Sequence, residues 1–361
     1  MTAKQRIPGF DIARAYAIFG MFIVNFNFSF GSVMAPTSPT GHFLNIFTGN
    51  STAIFIICAG MGVSLMTHGN NYSKEEKAAL KSKIIKRSWF LFALGLLLYN
   101  WWSGDILHFY GGYMHFAAFL LFVPEKYYLW AAAFAILIFH ILLFIIPIDT
   151  GWDFTTFNYT DFWTPAGFIR NTFYNGWNSM FPWLSYFFTG MWLGRRDWTN
   201  KPVRRNTFIT GLLLFIIFQS LRALESLHFL NSFWSDYITA EYFPPYLPFL
   251  MLTMGFAFMV IPVCMYIGEK CSNNAFISAL QKTGQMTLSH YVIHLTAGMI
   301  IFAYITNKHY TGLLEDETPT PPAYIFVYSV IFYTLSVLFS VLWSRKFKRG
   351  PLETLMRKIS G

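Results

Sequence analysis

The chain has 361 residues, of which 55% are hydrophobic and 20% aromatic, while only 12% are charged, roughly half the share found in a soluble domain. Its 26 basic and 17 acidic side chains cannot cover a soluble body of 41.8 kDa, so water is not its main solvent. Secreted, coiled-coil and disulfide-stapled classes are excluded, and a mean hydropathy of +0.42, with apolar runs near the ~20 residues that cross a bilayer, marks a multi-pass helical membrane protein.

In chain order the apolar runs predict ten spans, at about 10–31, 43–67, 84–102, 105–123, 127–147, 179–194, 207–225, 246–267, 284–305 and 322–343. The first run has no small-residue cleavage site and continues as a full span, so it is read as a transmembrane helix and not as a signal peptide. The fold class expected is all-α, a polytopic bundle forming one domain over 1–343, followed by a short basic tail at 344–361. Cys58 and Cys264 fall inside apolar runs and Cys271 in a short basic connection, a pattern without disulfide or metal spacing; no metal is expected. Two connections are long and aromatic, 148–178 and 226–245. Their rings suit packing at the headgroup zone, and their Asp, Asn and Thr residues equally suit a sugar resting on aromatic faces.

The net charge of +9 raises nucleic acid as a partner until the charges are located. With the N-terminus placed inside, only Arg170, Arg222 and Lys308 fall on the outer side, and the other 23 Lys and Arg residues fall on the inner one. A missed or invented helix would invert every later connection, so this division supports ten spans with both termini cytoplasmic. The excess charge is thus a topology signal with anionic-lipid contact, and no nucleic-acid partner is expected. The location expected is the cell's inner membrane.

Ionisable groups inside spans cost several kcal/mol unless they face a bundle interior or a watery cavity. Three spans carry such groups in helical register. In the first, Asp11, Arg14, Ile18, Met21 and Asn25 share one face over roughly 21 Å. In the fourth, Asp105, His108, Gly112 and His115 do the same, and in the ninth Thr283, Thr287, His290 and His294. Each group has a structural reading, Asp11 with Arg14 as a capping pair and the histidines as donors to carbonyls; together the three faces predict a hydrated cavity. His42 follows a Pro- and Gly-broken outer connection, 31–41. It is read either as a helix-entry residue or as a general base acting from the outer side.

The segment RIPGFDIARAYAIFGMFIVNF, residues 6–26, resembles the first-helix signature of the bacterial DUF418 (YeiB-like) membrane proteins and of the related heparan-α-glucosaminide N-acetyltransferases in the transmembrane acyltransferase superfamily. Asp11, Arg14, Ala17, Gly20, Val24 and Asn25 fall in place, and Ala15 stands where glycine is usual. SGDILHFYGGY (103–113), FPWLSYFFTGMWLGR (181–195) and GQMTLSHYVIHL (284–295) resemble further elements of these chains, His294 matching a histidine of the acetyltransferase relatives.

The resemblance implies an enzyme, an acyltransferase moving an acetyl or other acyl group from cytosolic acyl-CoA, with acetyl-CoA as co-substrate, to a sugar or glycoconjugate acceptor on the outer side. It implies catalytic roles for His42, as base, and Asn25, as donor to the thioester oxygen. Asp11, Arg14, Lys86 and Arg87 are expected at the CoA end, and Asp105, His108, His115, His290 and His294 as further cavity groups. Lipid is a partner, and the oligomeric state is left open, a homodimer included. The rival expectation is a transporter or flippase for a polar or lipid-linked substrate, since the same interior could bind an ion or solute; no pair of matching broken helices supports it.

Overall fold

A computed structural model describes residues 7–31, 36–67, 72–225, 231–239, 241–308 and 318–361. Lys4 and Arg6, residues 32–35 of the connection after the first span, and 226–230 and 240 of the second aromatic one lie outside the described residues.

In chain order the helices are α1 (Pro8–Phe30), α2 (Pro39–Asn45), α3 (Asn50–Met66), α4 (Lys74–Tyr99), α5 (Leu107–Leu120) and α6 (Lys126–Ile145). A two-residue hairpin, β1 (Trp152–Asp153) and β2 (Asn158–Tyr159), comes next, with Trp152 opposite Tyr159. Then follow α7 (Pro165–Arg170), α8 (Met180–Leu193), α9 (Lys201–Glu225), α10 (Ser232–Ile238), α11 (Leu247–Lys270), α12 (Ala275–Gly284) and α13 (Thr287–Ile293). The last three are α14 (Met299–Thr306), α15 (Pro322–Trp343) and α16 (Pro351–Ser360). Wider π turns occupy Asn171–Asn175 and His294–Gly298. Helix starts carry local signals: Pro8 opens α1, Ser73 with Glu76 forms a reciprocal capping box on α4, and Asn274 caps α12.

The chain is an all-helical bundle of the membrane type. Among the described residues seven helical runs are long and apolar enough to cross a bilayer: Pro8–Phe30, Pro39–Met66, Lys126–Ile145, Lys201–Glu225, Leu247–Lys270, Thr287–Thr306 and Pro322–Trp343. The other three expected spans coincide with α4, α5 and α8. The last two have 14 residues each, about 21 Å of helix against a hydrocarbon core of ~30 Å, and α4 opens with a run of charges.

Contacts divide the chain into two compact units. The first comprises Met1–Phe55, Asp197–Leu221 and Met251–Leu355. Helix α1 lies in its interior, with 72% of its most apolar stretch buried, whereas α9 buries 11% and α15 22% and present their apolar side chains outward. The C-terminal half of α1 is wrapped in rings, Phe22 and Phe26 meeting Phe302, Tyr328 and Phe332 at centroid distances of 4.9–6.1 Å. At its N-terminal end Gly284 closes α12 directly on the α1 backbone, where an added Cβ would stand 1.7 Å from the Asp11 carbonyl oxygen. The predicted ninth span and its Thr283–His294 face are therefore interrupted: the helix breaks at Gln285 and Met286 and restarts at Thr287.

The second unit comprises Ile56–Arg196, Arg222–Leu250 and Met356–Gly361. Gly60 of α3 and Gly190 of α8 let the two backbones touch, each glycine facing a carbonyl of the other helix. Arg195, just past α8, donates to the Thr67 and Leu121 carbonyls at 3.1 and 2.9 Å, and to the Thr67 and Tyr128 hydroxyls, each at 3.2 Å. One guanidinium thus ties the ends of α3 and α5 to the start of α6. The aromatic connection after α6 has a small core of its own. Tyr99 stacks on Phe162 at 3.6 Å, and Arg170 pairs with both Asp161 oxygens at 2.7 Å and donates to the Tyr159 hydroxyl at 2.7 Å.

Candidate functional site

The first-helix face is continuous in the structure. Asp11 is buried; its Oδ1 lies 3.5 Å from Arg14 Nη1, and its Oδ2 accepts from Gln285 Nε2 at 3.1 Å. Gln285 is one of the two residues at the helix break, so the break serves to aim an amide at the buried carboxylate. Arg14 keeps 27% of its side chain exposed, so the face carries a guanidinium at one end.

At the other end of this face Asn25 Nδ2 lies 2.9 Å from His294 Nε2. The ring's second nitrogen, Nδ1, lies 3.3 Å from the His290 carbonyl oxygen. A carbonyl only accepts, so Nδ1 carries the hydrogen, Nε2 presents its lone pair, and the Asn25 amide donates to it. Nδ2 has two hydrogens; among the described residues the second makes no hydrogen bond. His294 is fully buried and ringed by Phe22, Phe26 and Tyr291, with centroids 4.8, 6.0 and 5.2 Å away. It opens the π turn His294–Gly298, a distortion that recurs at functional sites in helices.

His290 is also buried and is occupied structurally. Its Nε2 lies 2.7 Å from Ser340 Oγ, which itself donates to the Ser336 carbonyl at 2.9 Å. The hydroxyl's one hydrogen is taken, so His290 donates and anchors α13 to α15. His42 stands on the short helix α2, capped by Ser38, with its side chain exposed; no hydrogen bond joins it to Asn25 or His294.

The remaining expected groups belong to the second unit. Asp105 lies just ahead of α5, and its Oδ2 accepts from the backbone N–H groups of Leu107 and His108 at 2.8 and 3.2 Å and faces His108 Nδ1 at 3.3 Å. It caps the helix instead of forming part of a face along it. Both side chains are fully buried, and His108 Nε2 has no hydrogen-bond partner among the described residues. His115 Nδ1 lies 3.5 Å from Ser88 Oγ. Lys86 is exposed, whereas Arg87 is buried, with Nε 3.3 Å from Ser360 Oγ and Nη1 3.3 Å from Met66 Sδ. Among the described residues no group of three or more His, Cys, Asp or Glu side chains could hold a metal ion.

Three residues outside the expected set complete the first unit's polar network: Gln285, Ser340 and Glu353. The first two are ordinary in sequence. Glu353 carries a signal, as the only acid among the six Lys and Arg residues of 344–361.

Apolar spanning helices around a part-buried amide–imidazole pair define an integral membrane protein with a polar centre built into the bundle. The chain belongs to the heparan-alpha-glucosaminide N-acetyltransferase catalytic-domain family, whose model matches residues 6–209. The model of the protein family of unknown function DUF418 matches residues 193–361, so the two together cover nearly the whole chain. Among curated proteins none matches it.

Proposed function

We propose that the protein is a membrane acetyltransferase that uses acetyl-CoA from the cytosolic side and acetylates a sugar or glycoconjugate on the outer side of a cell's inner membrane. The observation that carries this reading is the Asn25–His294 pair at 2.9 Å. His294, held in one tautomer, fixes the Asn25 amide so that its second N–H is free to meet the thioester carbonyl oxygen as that oxygen gains negative charge. Arg14, partly exposed at the opposite end of α1, is the basic contact for the CoA phosphates.

His42, exposed on α2, is assigned as the base. It takes the proton of the acceptor hydroxyl or amine as that oxygen or nitrogen bonds to the acetyl carbon; the carbon–sulfur bond breaks, and the CoA thiolate recovers the proton. Family membership supports acetyl transfer as the reaction class.

The test uses the purified chain in proteoliposomes with acetyl-CoA, following free thiol with and without acceptor glycans. Acceptor-dependent thiol release is expected, and absence of both CoA binding and thiol release refutes the reading. His42→Ala should abolish turnover with CoA binding intact, and His294→Ala should lower kcat about 100-fold. If His42→Ala keeps full activity, the role of base passes from His42.

A further inference from the structure

The C-terminal helix α16 sends one acidic side chain into the start of the helical run that carries His290 and His294. Glu353 Oε1 accepts hydrogen bonds from the backbone N–H groups of Leu288 and Ser289, at 2.8 and 3.2 Å, and Oε2 accepts from Ser289 Oγ at 2.6 Å. Leu352 N–H donates in turn to Ser289 Oγ at 3.1 Å. The first N–H groups of a helix have no acceptor within it, and α13 makes no side-chain cap of its own at Met286. A carboxylate more than sixty residues downstream supplies that cap.

The contact is built, not incidental. Burial pushes the pKa of Glu353 up, and the hydrogen bonds from Ser289 and Leu288 pull against it, so the side chain is committed to the protein interior and to these donors. It acts where the chain has just broken at Gln285 and Met286, the point at which the restarted helix needs its register defined. From Thr287 the run continues for 20 residues to Thr306, and His294 lies about two turns beyond the cap. Axial or rotational play at the start of this run would be carried directly to the imidazole.

We propose that Glu353 is a positioning residue for the Asn25–His294 pair: by capping α13 it sets the height and rotation of the helix, and so holds His294 Nε2 against the Asn25 amide. This rests on the reading that the pair lies at the reacting centre. Nothing in the chain's local sequence links the tail to that pair; the link exists only through the fold.

Three variants of the full chain test it. Glu353→Ala removes the cap. Gly350→Ala keeps Glu353 but brings a Cβ to 2.1 Å from its Oε2 and 2.8 Å from Ser289 Oγ, displacing it. Glu353→Gln keeps the two backbone contacts, its amide oxygen accepting from both N–H groups, and reverses the third, its Nε2 donating to Ser289 Oγ. In proteoliposomes the first two should lose at least tenfold in kcat with KM for acetyl-CoA within twofold of the parent, and Glu353→Gln should stay within threefold. Nitrogen-15 NMR of histidine-labelled protein in detergent gives a readout independent of turnover. The signal of a neutral His294 with bare Nε2 should persist in Glu353→Gln and shift or split in Glu353→Ala.

An unchanged His294 signal in Glu353→Ala overturns the proposal, as does a parent-like kcat in that variant. A Glu353→Gln variant as impaired as Glu353→Ala overturns it too. If the parent chain transfers no acetyl group, the functional reading fails, and the NMR comparison still decides whether Glu353 positions His294.

Discussion

At Asn25 and His294 the sense of a single hydrogen bond matters. The amide can donate only because the imidazole presents a lone pair, and that lone pair is at Nε2 because Nδ1 is committed to the His290 carbonyl. Replacing Asn25 by Asp keeps the size of the side chain and reverses its polarity, setting carboxylate oxygen against bare nitrogen. The Asn25→Asp variant should therefore lose about 100-fold in kcat, and its His294 signal should move toward the doubly protonated imidazole in nitrogen-15 NMR. Steady-state rates and spectra of the same preparation check both. Half of this pair was legible in the sequence, because Asp11, Arg14 and Asn25 repeat at helical spacing along one continuous helix. The pairing was not, since the partners are 269 residues apart and no local pattern encodes which histidine meets the amide. Asp105 shows the converse: its spacing from His108 fitted a helix face, but the helix begins at Leu107, and the carboxylate is spent on its first N–H groups.

Among the elements, the connection between α6 and α8 adds most to what its composition shows. Its aromatic composition suits headgroup packing or a sugar platform; part of its rings pack on one another, Trp152 meeting Trp177 and Phe243 at 4.9 and 5.6 Å, while Phe154 and Trp163 stay exposed. The polar residues act as a clasp. Arg170 grips Asp161 and Tyr159, and Tyr159 donates to Asn175 Oδ1 at 2.7 Å. Burial disfavours the guanidinium charge, but hydrogen bonds and charge from Asp161 and Tyr159 outweigh it, and the pKa of Arg170 rises. Asp161→Asn leaves that guanidinium without its bidentate partner and should cost about 1–2 kcal/mol, the scale of a charge-assisted hydrogen bond in a half-buried setting. Hydrogen–deuterium exchange should speed up across residues 150–178 and remain unchanged in α1. An exchange pattern like the parent's would mean that the aromatic core alone orders this segment. Composition revealed the rings here, while the clasp depends on a hairpin register that two-residue strands do not announce.

For the whole molecule, the seven clear spanning runs and the three shorter or charged helices stand where ten spans were expected, because hydrophobic length is written locally in the sequence. Orientation is a separate matter, and the chain carries its own probe for it. Cys58 and Cys264 are buried, and Cys271 is exposed in the basic connection after α11. If both termini face the cytoplasm, a membrane-impermeant maleimide should label inverted vesicles and leave intact cells unlabelled, and Cys271→Ser should abolish the labelling. Labelling of intact cells would reverse the proposed topology.

Arg195 gives the charge count a different meaning. Its guanidinium is bonded to two carbonyls and two hydroxyls of the protein, yet it scores as one more cation on the inner side. A lysine there would leave that score unchanged and could not span the same four acceptors with a single ammonium. Membrane insertion and closure of the bundle would then come apart: the chain would enter the bilayer the right way round, and the ends of α3 and α5 would lose the guanidinium that bonds to both.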